Sequence, residues 1–255
     1  MELVIHEQLA ACEDTHWWCR ARREILESVI AQFAPAPRQG GLRLVEVGCG
    51  SGGNLPMLAK FGAVVGAEPE PIAVSHFRQK RSGIFEVIHH RVPEPLPGRY
   101  HVIGMFDVLE HIDDDVGALK WAAEQLEPGG ILVLSVPAFQ FLWSEQDEAA
   151  HHFRRYTPDQ ILRLVPPSLS VAHLTCFNTL LFPAILAART VMRMKRRTAG
   201  PPRWNLALPP EPFNWLLYQI LRLERFFVSR RRFRFGVSIL LVARRHADSP
   251  QTSSP

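Results

Sequence analysis

An α/β protein built on a mostly parallel sheet is the fold this sequence predicts, and three observations carry it. Short apolar runs alternate with helix-like segments between residues 42 and 165, the pattern of a sheet covered by crossover helices. The first run, Leu42–Val47, leads straight into Gly48-Cys49-Gly50-Ser51-Gly52-Gly53. Glycines there let the backbone take positive φ and approach a ligand, and the following helix start points free N–H groups at it. Finally, Glu46 and Glu68 fall at the ends of the first two runs, where open α/β sheets bind their ligands.

Taken in order, residues 14–33 form an amphipathic helix capped by Asp14 or Thr15, with Ile25, Val29 and Phe33 at four-residue spacing. Its first turns, His16-Trp17-Trp18-Cys19-Arg20-Ala21-Arg22-Arg23, concentrate aromatic and cationic groups ahead of the first strand. Residues 35–41 are a turn-rich linker. Strands are placed at 42–47, 63–67, 84–88, 100–106 and 130–136, and helices near 53–61, 70–80, 114–126 and 157–165. Pro128-Gly129-Gly130 is a turn leading into the fifth strand.

With 255 residues, 47% hydrophobic and 21% charged, the chain can bury a full core as one domain over residues 1–246. The cysteines, Cys12, Cys19, Cys49 and Cys176, contain no C-x-x-C pair. A reduced, cytoplasmic setting without disulfides or structural zinc is expected, and no metal ligands are assigned. The acidic N-terminus does not resemble a signal peptide, and no run of 18 apolar residues occurs. The net charge of +4 belongs to the C-terminal part, since residues 1–184 are acidic and the excess Lys and Arg fall within 185–245. Residues 247–255 are polar and expected to be disordered.

Which nucleotide the loop takes is decided by its neighbours. Gly48, Gly50 and Gly53 satisfy the dinucleotide pattern G-x-G-x-x-G. Glu46, however, faces the loop with a charge that repels a pyrophosphate and attracts an ammonium or sulfonium. Glu68, roughly 20 residues on, suits two ribose hydroxyls. Here the chain resembles the class I S-adenosylmethionine (SAM)-dependent methyltransferases, whose motif E/D-x-G-x-G-x-G is matched by Glu46, Gly48, Gly50 and Gly52.

The resemblance extends to Leu126-Glu127-Pro128-Gly129-Gly130, like the family's L-x-P-G-G turn, and to Asp107-Val108-Leu109-Glu110-His111, like its D-V-L-E-H segment. It continues in one subset with V-P-A at 136–138, L-W-S-x-x-D at 142–147 and H-x-R-R-Y at 152–156. It implies a Rossmann-like, doubly wound, seven-stranded sheet with an antiparallel last strand. It also implies SAM as cofactor, held by Glu46, Gly48, Gly50, Gly52, Glu68 and Asp107. Asp113, Asp114 and Asp115 suit a helix start electrostatically and read as structural. Glu110 and His111 fall near the substrate mouth. His152, His111 and Tyr156 are the candidate catalytic groups, His152 standing equally as an acid/base residue or a structural one. The two arginines read either as an anion clamp or as partners of Asp147 and Glu148. One departure is His89-His90-Arg91, where the family carries an acid against the adenine amino group.

The last two strands are assigned to 170–177 and 236–243, separated by an inserted helical subdomain, 178–235, far longer than a hairpin loop. It couples apolar stretches, 180–188 and 212–228, to Arg189, Arg193, Lys195, Arg196 and Arg197 and to Arg230, Arg231, Arg232 and Arg234. An interfacial membrane helix fits this composition, each basic side chain near an anionic leaflet contributing about 1 kcal/mol. A lid over a greasy acceptor fits as well, while so many apolar residues argue against nucleic acid. The expected function is methyl transfer from SAM to a hydrophobic, lipid-linked or quinone-like acceptor, peripherally at the inner face of a membrane. The alternatives are a non-catalytic SAM-binding scaffold at a membrane and an NAD(P)-dependent oxidoreductase.

Overall fold

β1 (Leu42–Val47), β2 (Gly62–Glu68), β3 (Glu86–His89), β4 (Tyr100–Phe106), β5 (Leu126–Pro137), β6 (Leu169–Phe177) and β7 (Ser238–Arg245) form one sheet in the order β3-β2-β1-β4-β5-β7-β6. The structure is a computed structural model and describes residues 8, 10–36, 39–81, 83–195 and 208–247. Strands β1 to β5 run parallel, and β7 is antiparallel to both neighbours. The helices are α1 (Trp17–Phe33), α2 (Leu55–Leu58), α3 (Pro71–Arg81), α4 (Asp115–Gln125), α5 (Glu145–Ala149), α6 (Pro158–Leu164), α7 (Phe182–Lys195) and α8 (Phe213–Arg222). The expected α/β sheet with an antiparallel last strand is what forms.

Strand alternation distributes the core over both faces of the sheet. Leu42 and Leu44 pack with Ile25, Leu26, Val29 and Ile30 of α1, whereas Val45 and Val47 join Leu119 and Trp121 of α4 on the opposite face. Each such side chain contributes about 1.5–3 kcal/mol by leaving water, enough to fix the strand's register. Glu46 therefore continues the α1-facing stripe, which turns an acid toward the N-terminal helix.

Several boundaries differ from expectation. His16, not Asp14 or Thr15, caps α1, its Nδ1 accepting from the Trp18 N–H at 3.3 Å. The segment 126–130 is extended rather than a turn and lengthens β5, with a register irregularity between Tyr100 and Val102. A side chain on Gly130 would stand 3.0 Å from the His101 carbonyl oxygen, which explains the glycine there. β3 begins at Glu86 and β7 at Ser238, two residues later than predicted in each case, and α2 is a single short turn. Of the tail placed at 247–255, residues 248–255 lie outside the described residues.

The insertion divides into two parts with different surroundings. Its start and end are tied together by Glu224, whose carboxylate accepts from the N–H groups of Asn178 at 2.6 Å, Thr179 at 2.6 Å and Leu180 at 2.8 Å. α8 packs on α1 through a mixed inner face, where Leu221 is buried in the hydrophobic cluster that holds Ile25 and Val29 and polar groups bind at its edges. Asn214 accepts from the Trp17 N–H at 2.9 Å, and Arg222, Arg225 and the Tyr218 hydroxyl all donate to Glu24. Its outward face is apolar: Phe213, Trp215 and Leu216 are exposed, followed by Leu223, Phe226 and Phe227. An ordinary surface helix presents polar side chains on that outward side. Among the described residues, no helix is long and apolar enough to cross a membrane.

Candidate active site

β1 pairs with β2 on one side and β4 on the other, so successive connections leave in opposite directions and a crevice opens at the strands' C-terminal ends. The loop after β1 forms its floor. Gly48, Gly50 and Gly52 have positive φ, whereas Gly53 does not, so the geometry follows the spacing that begins at Glu46 and not the dinucleotide spacing. A Cβ on Gly48 would lie 2.6 Å from Val108, while one on Gly50 would meet nothing within 4 Å. Gly48 is thus required for packing against the loop after β4, and Gly50 leaves its backbone open to the crevice.

Two acids flank this loop. Glu68, the last residue of β2, is buried and accepts from the N–H groups of Gly50 at 2.7 Å and Glu70 at 3.0 Å. Burial raises its carboxyl above the usual range, and the two N–H groups offset part of that rise. Glu46 is 1% exposed, takes a 2.6 Å hydrogen bond from Asn54 and keeps its second oxygen without a partner. Burial pushes its carboxyl up to about 8, the Asn54 hydrogen bond offsetting part of the rise. Asp107, at positive φ just beyond β4, is ion-paired with Arg22 and takes a 3.2 Å hydrogen bond from Ser135. Arg22 reaches it from α1, with its guanidinium 4.5 Å over the Trp18 ring and its Nε buried without a partner.

Beyond Asp107 the crevice widens around Glu110, His111 and His152. The imidazoles of His111 and His152 meet edge to face at 4.6 Å. His152 Nδ1 lies 3.0 Å from Asp147 Oδ1, and Arg155 donates to both Asp147 oxygens at 2.7 and 3.0 Å. Burial alone would raise Asp147, but the His152 hydrogen bond and the Arg155 charge outweigh it and hold the carboxyl well below the usual range. An ionised Asp147 can only accept, so Nδ1 carries the proton of their hydrogen bond, while Nε2 lies 4.0 Å from Glu110 Oε1. Glu110 is fully buried with both oxygens unpartnered. Burial, with the Asp107 charge adding to it, raises its carboxyl well above the usual range. Although the sequence predicted no metal ligands, Glu110, His111 and His152 bring donor atoms within 4.8 Å of one another.

Tyr156, expected beside the substrate, is turned away from the cavity. It lies outside the cavity's lining, and its hydroxyl donates to Asp115 at 3.1 Å. Burial, then the Asp115 charge, raises it far above the ordinary phenol range. The paired arginines are also occupied, Arg154 by Asp115 at 2.8 Å and Arg155 by Asp147, so they are no free anion clamp. Asp114 caps α4 by accepting from the Gly117 N–H at 2.8 Å, as its structural reading required. His90 bonds to the Glu94 carbonyl at 2.7 Å and lines the cavity with Arg91.

The crevice is a cavity of about 1490 Å³. That exceeds the 300–1,000 Å³ typical of a small-molecule site and leaves room for a cofactor and an acceptor together. The residues at its β1–β2 end fit SAM: a buried, half-partnered acid for a cationic group, a strand-end acid for ribose hydroxyls, and an open glycine backbone. If a cation draws Glu46 into its charged form, binding expels a proton below pH 8. SAM affinity should then rise as pH increases from 6 to 8 and level off above it. Calorimetry in buffers of different ionisation enthalpy reads this directly: up to one proton released by the wild type, none by Glu46→Gln. Equal heats in every buffer would remove Glu46 from contact with the cation.

Other residues of this site carried no sequence signal of their own. Glu13 takes a 2.7 Å hydrogen bond from Ser51 and lines the cavity with Trp17, Trp18 and Arg22. The aromatic and cationic cluster at 16–23 was visible, yet its partner across the sheet was not. α7 also lines the cavity, through Ile185, Ala188, Arg189, Met192 and Arg193, whereas no residue of α8 does.

A model of the methyltransferase domain family matches residues 18–168. Ubiquinone biosynthesis O-methyltransferase of Cereibacter sphaeroides strain ATCC 17025 is 36% identical over 122 residues, 44% of this chain and 49% of that protein. The Pseudomonas aeruginosa PAO1 protein of the same name is 26% identical over 133 residues, 49% of this chain and 54% of that one. The chain spans about half the length of the curated relatives it matches. Among solved structures, a candidate methyltransferase in complex with the Haloferax volcanii Trm112 methyltransferase activator is 15% identical with a TM-score of 0.61, covering 96% of each chain. A candidate methyltransferase from Bacillus halodurans is 18% identical with a TM-score of 0.57, over 86% of this chain and 97% of that one. These likenesses show the fold.

Proposed function

We propose that this chain, which belongs to the family of class I SAM-dependent methyltransferases, transfers a methyl group from SAM to a hydroxyl of a hydrophobic, lipid-linked or quinone-like acceptor. The observation that carries this reading is the single cavity joining the acid-flanked glycine loop to the His111–His152 pair. The O-methyltransferase names of the curated relatives support an oxygen acceptor. SAM supplies, when bound, a methyl group already activated on a sulfonium. The protein's task is then alignment, water exclusion and proton removal. Glu68 accepts from the ribose hydroxyls, Glu46 faces the cationic amino-acid end, and Gly48 to Gly52 allow close backbone approach. His152, oriented by Asp147, takes the acceptor's hydroxyl proton at Nε2. Incubation with methyl-labelled SAM and a bacterial lipid extract, followed by mass spectrometry, should show label in an amphipathic acceptor and S-adenosylhomocysteine as co-product. Absence of S-adenosylhomocysteine with lipid and polar extracts alike would leave a SAM-binding scaffold.

The same proposal places the protein peripherally on the inner face of a membrane. What supports it is the apolar outward face of α8 beside the exposed Arg230, Arg231, Arg232 and Arg234, the pairing an interfacial helix needs. Replacing Trp215, Phe226 and Phe227 together by serine should lower partition onto phosphatidylglycerol vesicles by about 10²-fold or more, since each large apolar side chain carries about 1.5–3 kcal/mol of transfer free energy. Raising the salt should weaken wild-type binding as well. Unchanged sedimentation of the triple variant with vesicles would exclude this face as the contact.

A further inference from the structure

The two ends of the cavity differ in charge. Glu13, Glu46, Glu68 and Asp107 surround the glycine loop, whereas the far end is bordered by α7, whose Ile185 and Arg189, half-buried, and Ala188, Met192 and Arg193, exposed, line its mouth. Those positions are spaced three, four, seven and eight residues along the helix, so they form one face. It is an apolar stripe interrupted by two guanidinium groups.

Both arginines bind carbonyls at the end of the Gln140–Leu142 turn, Arg189 to Leu142 and Arg193 to Trp143 at 2.9 Å. Each uses only part of its donor fork for that bond. Among the described residues neither has a carboxylate within ion-pair distance. Asp147, the acid felt by Arg189, is already occupied by Arg155, His152 and Ser144. Arg155 and Arg193 add like charge beside Arg189, and burial lowers its guanidinium to about 10. A half-buried cation such as Arg189 without a counter-ion is unfavourable, and a ligand anion at the cavity mouth relieves that penalty while using the planar fork, with Arg193 exposed beside it.

We propose that Arg189 and Arg193 bind an anionic group of the acceptor, a carboxylate or a phosphate, while Ile185, Ala188 and Met192 line its apolar part. The acceptor is thereby an amphipathic anion and not a neutral lipid. The assignment of this ligand as the acceptor rests on the methyltransferase reading; the anion preference of the pocket does not.

The test uses farnesyl monophosphate, farnesoic acid, farnesol and inorganic phosphate as calorimetric probes of the full-length protein, with SAM titrated into the same samples. Expected for the wild type is at least tenfold tighter binding of the two farnesyl anions than of farnesol, with inorganic phosphate alone far weaker than either. Arg189→Gln should collapse that preference toward unity and leave SAM affinity within about twofold, and Arg189→Lys should restore part of it. Arg193→Gln, at an exposed position one turn on, should narrow the preference if Arg189→Gln does not fold. Equal affinity for farnesol and the farnesyl anions, or a preference that survives both glutamine variants, would overturn the proposal. Inorganic phosphate binding as tightly as farnesyl monophosphate would overturn it too, by assigning the pocket to a free anion. Loss of SAM binding with the anion preference intact would instead overturn the methyltransferase reading alone.

Discussion

Replacing His152 by alanine should lower turnover by about 10²–10⁴-fold, the range that a positioned acid–base group contributes, and leave SAM affinity unchanged. The expectation rests on an ordered chain of contacts. Arg155 and Ser144 hold Asp147, Asp147 anchors His152 through Nδ1, and the ring lines the cavity beside His111 and Glu110. An oxygen acceptor must lose a proton as it is methylated, and an imidazole positioned by Asp147 is a suitable general base. Steady-state kinetics together with SAM calorimetry separate the two effects. Wild-type turnover in His152→Ala would make the residue a structural link between the 140s loop and the loop after β4, where the Phe153 N–H already binds the Glu110 carbonyl at 2.8 Å.

Glu68→Ala should weaken SAM by about 10²-fold, because hydrogen bonds to a charged acceptor are worth about 1.5–3 kcal/mol each. The residue does two jobs at once. Its carboxylate ends β2 where ribose hydroxyls are expected, and it holds the Gly50 and Glu70 N–H groups that shape the floor. Glu68→Gln keeps an acceptor oxygen in place and should lose less, which distinguishes direct contact from loop collapse. Calorimetry on both variants checks the order. Equal losses would point to the loop alone, and unchanged affinity in the alanine variant would remove Glu68 from the ribose role.

Where the sequence was informative, the structural information was local. β1, its glycines and Glu46 follow from strand alternation and from the positive φ demanded within a few residues, so both the element and the binding end of the sheet could be read directly. Asp107 could be placed at a strand end, but its ion pair with Arg22 spans 85 residues and depends on how α1 lies across the sheet. The H-x-R-R-Y segment shows the complementary difficulty. Its spacing groups five residues without saying which of them face the cavity: His152 and Arg155 line it, whereas Tyr156 turns to Asp115. The insertion read as one apolar and basic block because composition cannot show which helix faces which surface. Only packing separates α7, whose stripe lines the cavity, from α8, which packs on α1 and leaves Phe213, Trp215 and Leu216 exposed.

The central claim is that the crevice at the ends of β1, β2 and β4 is a SAM site. Titration calorimetry of SAM, with NAD as the comparison, tests it most directly. Saturable one-site binding of SAM and no heat from NAD is the predicted result, because the positive-φ glycines Gly48, Gly50 and Gly52 follow the spacing that begins at Glu46 and not the dinucleotide spacing. Saturable binding of NAD with none of SAM would contradict it.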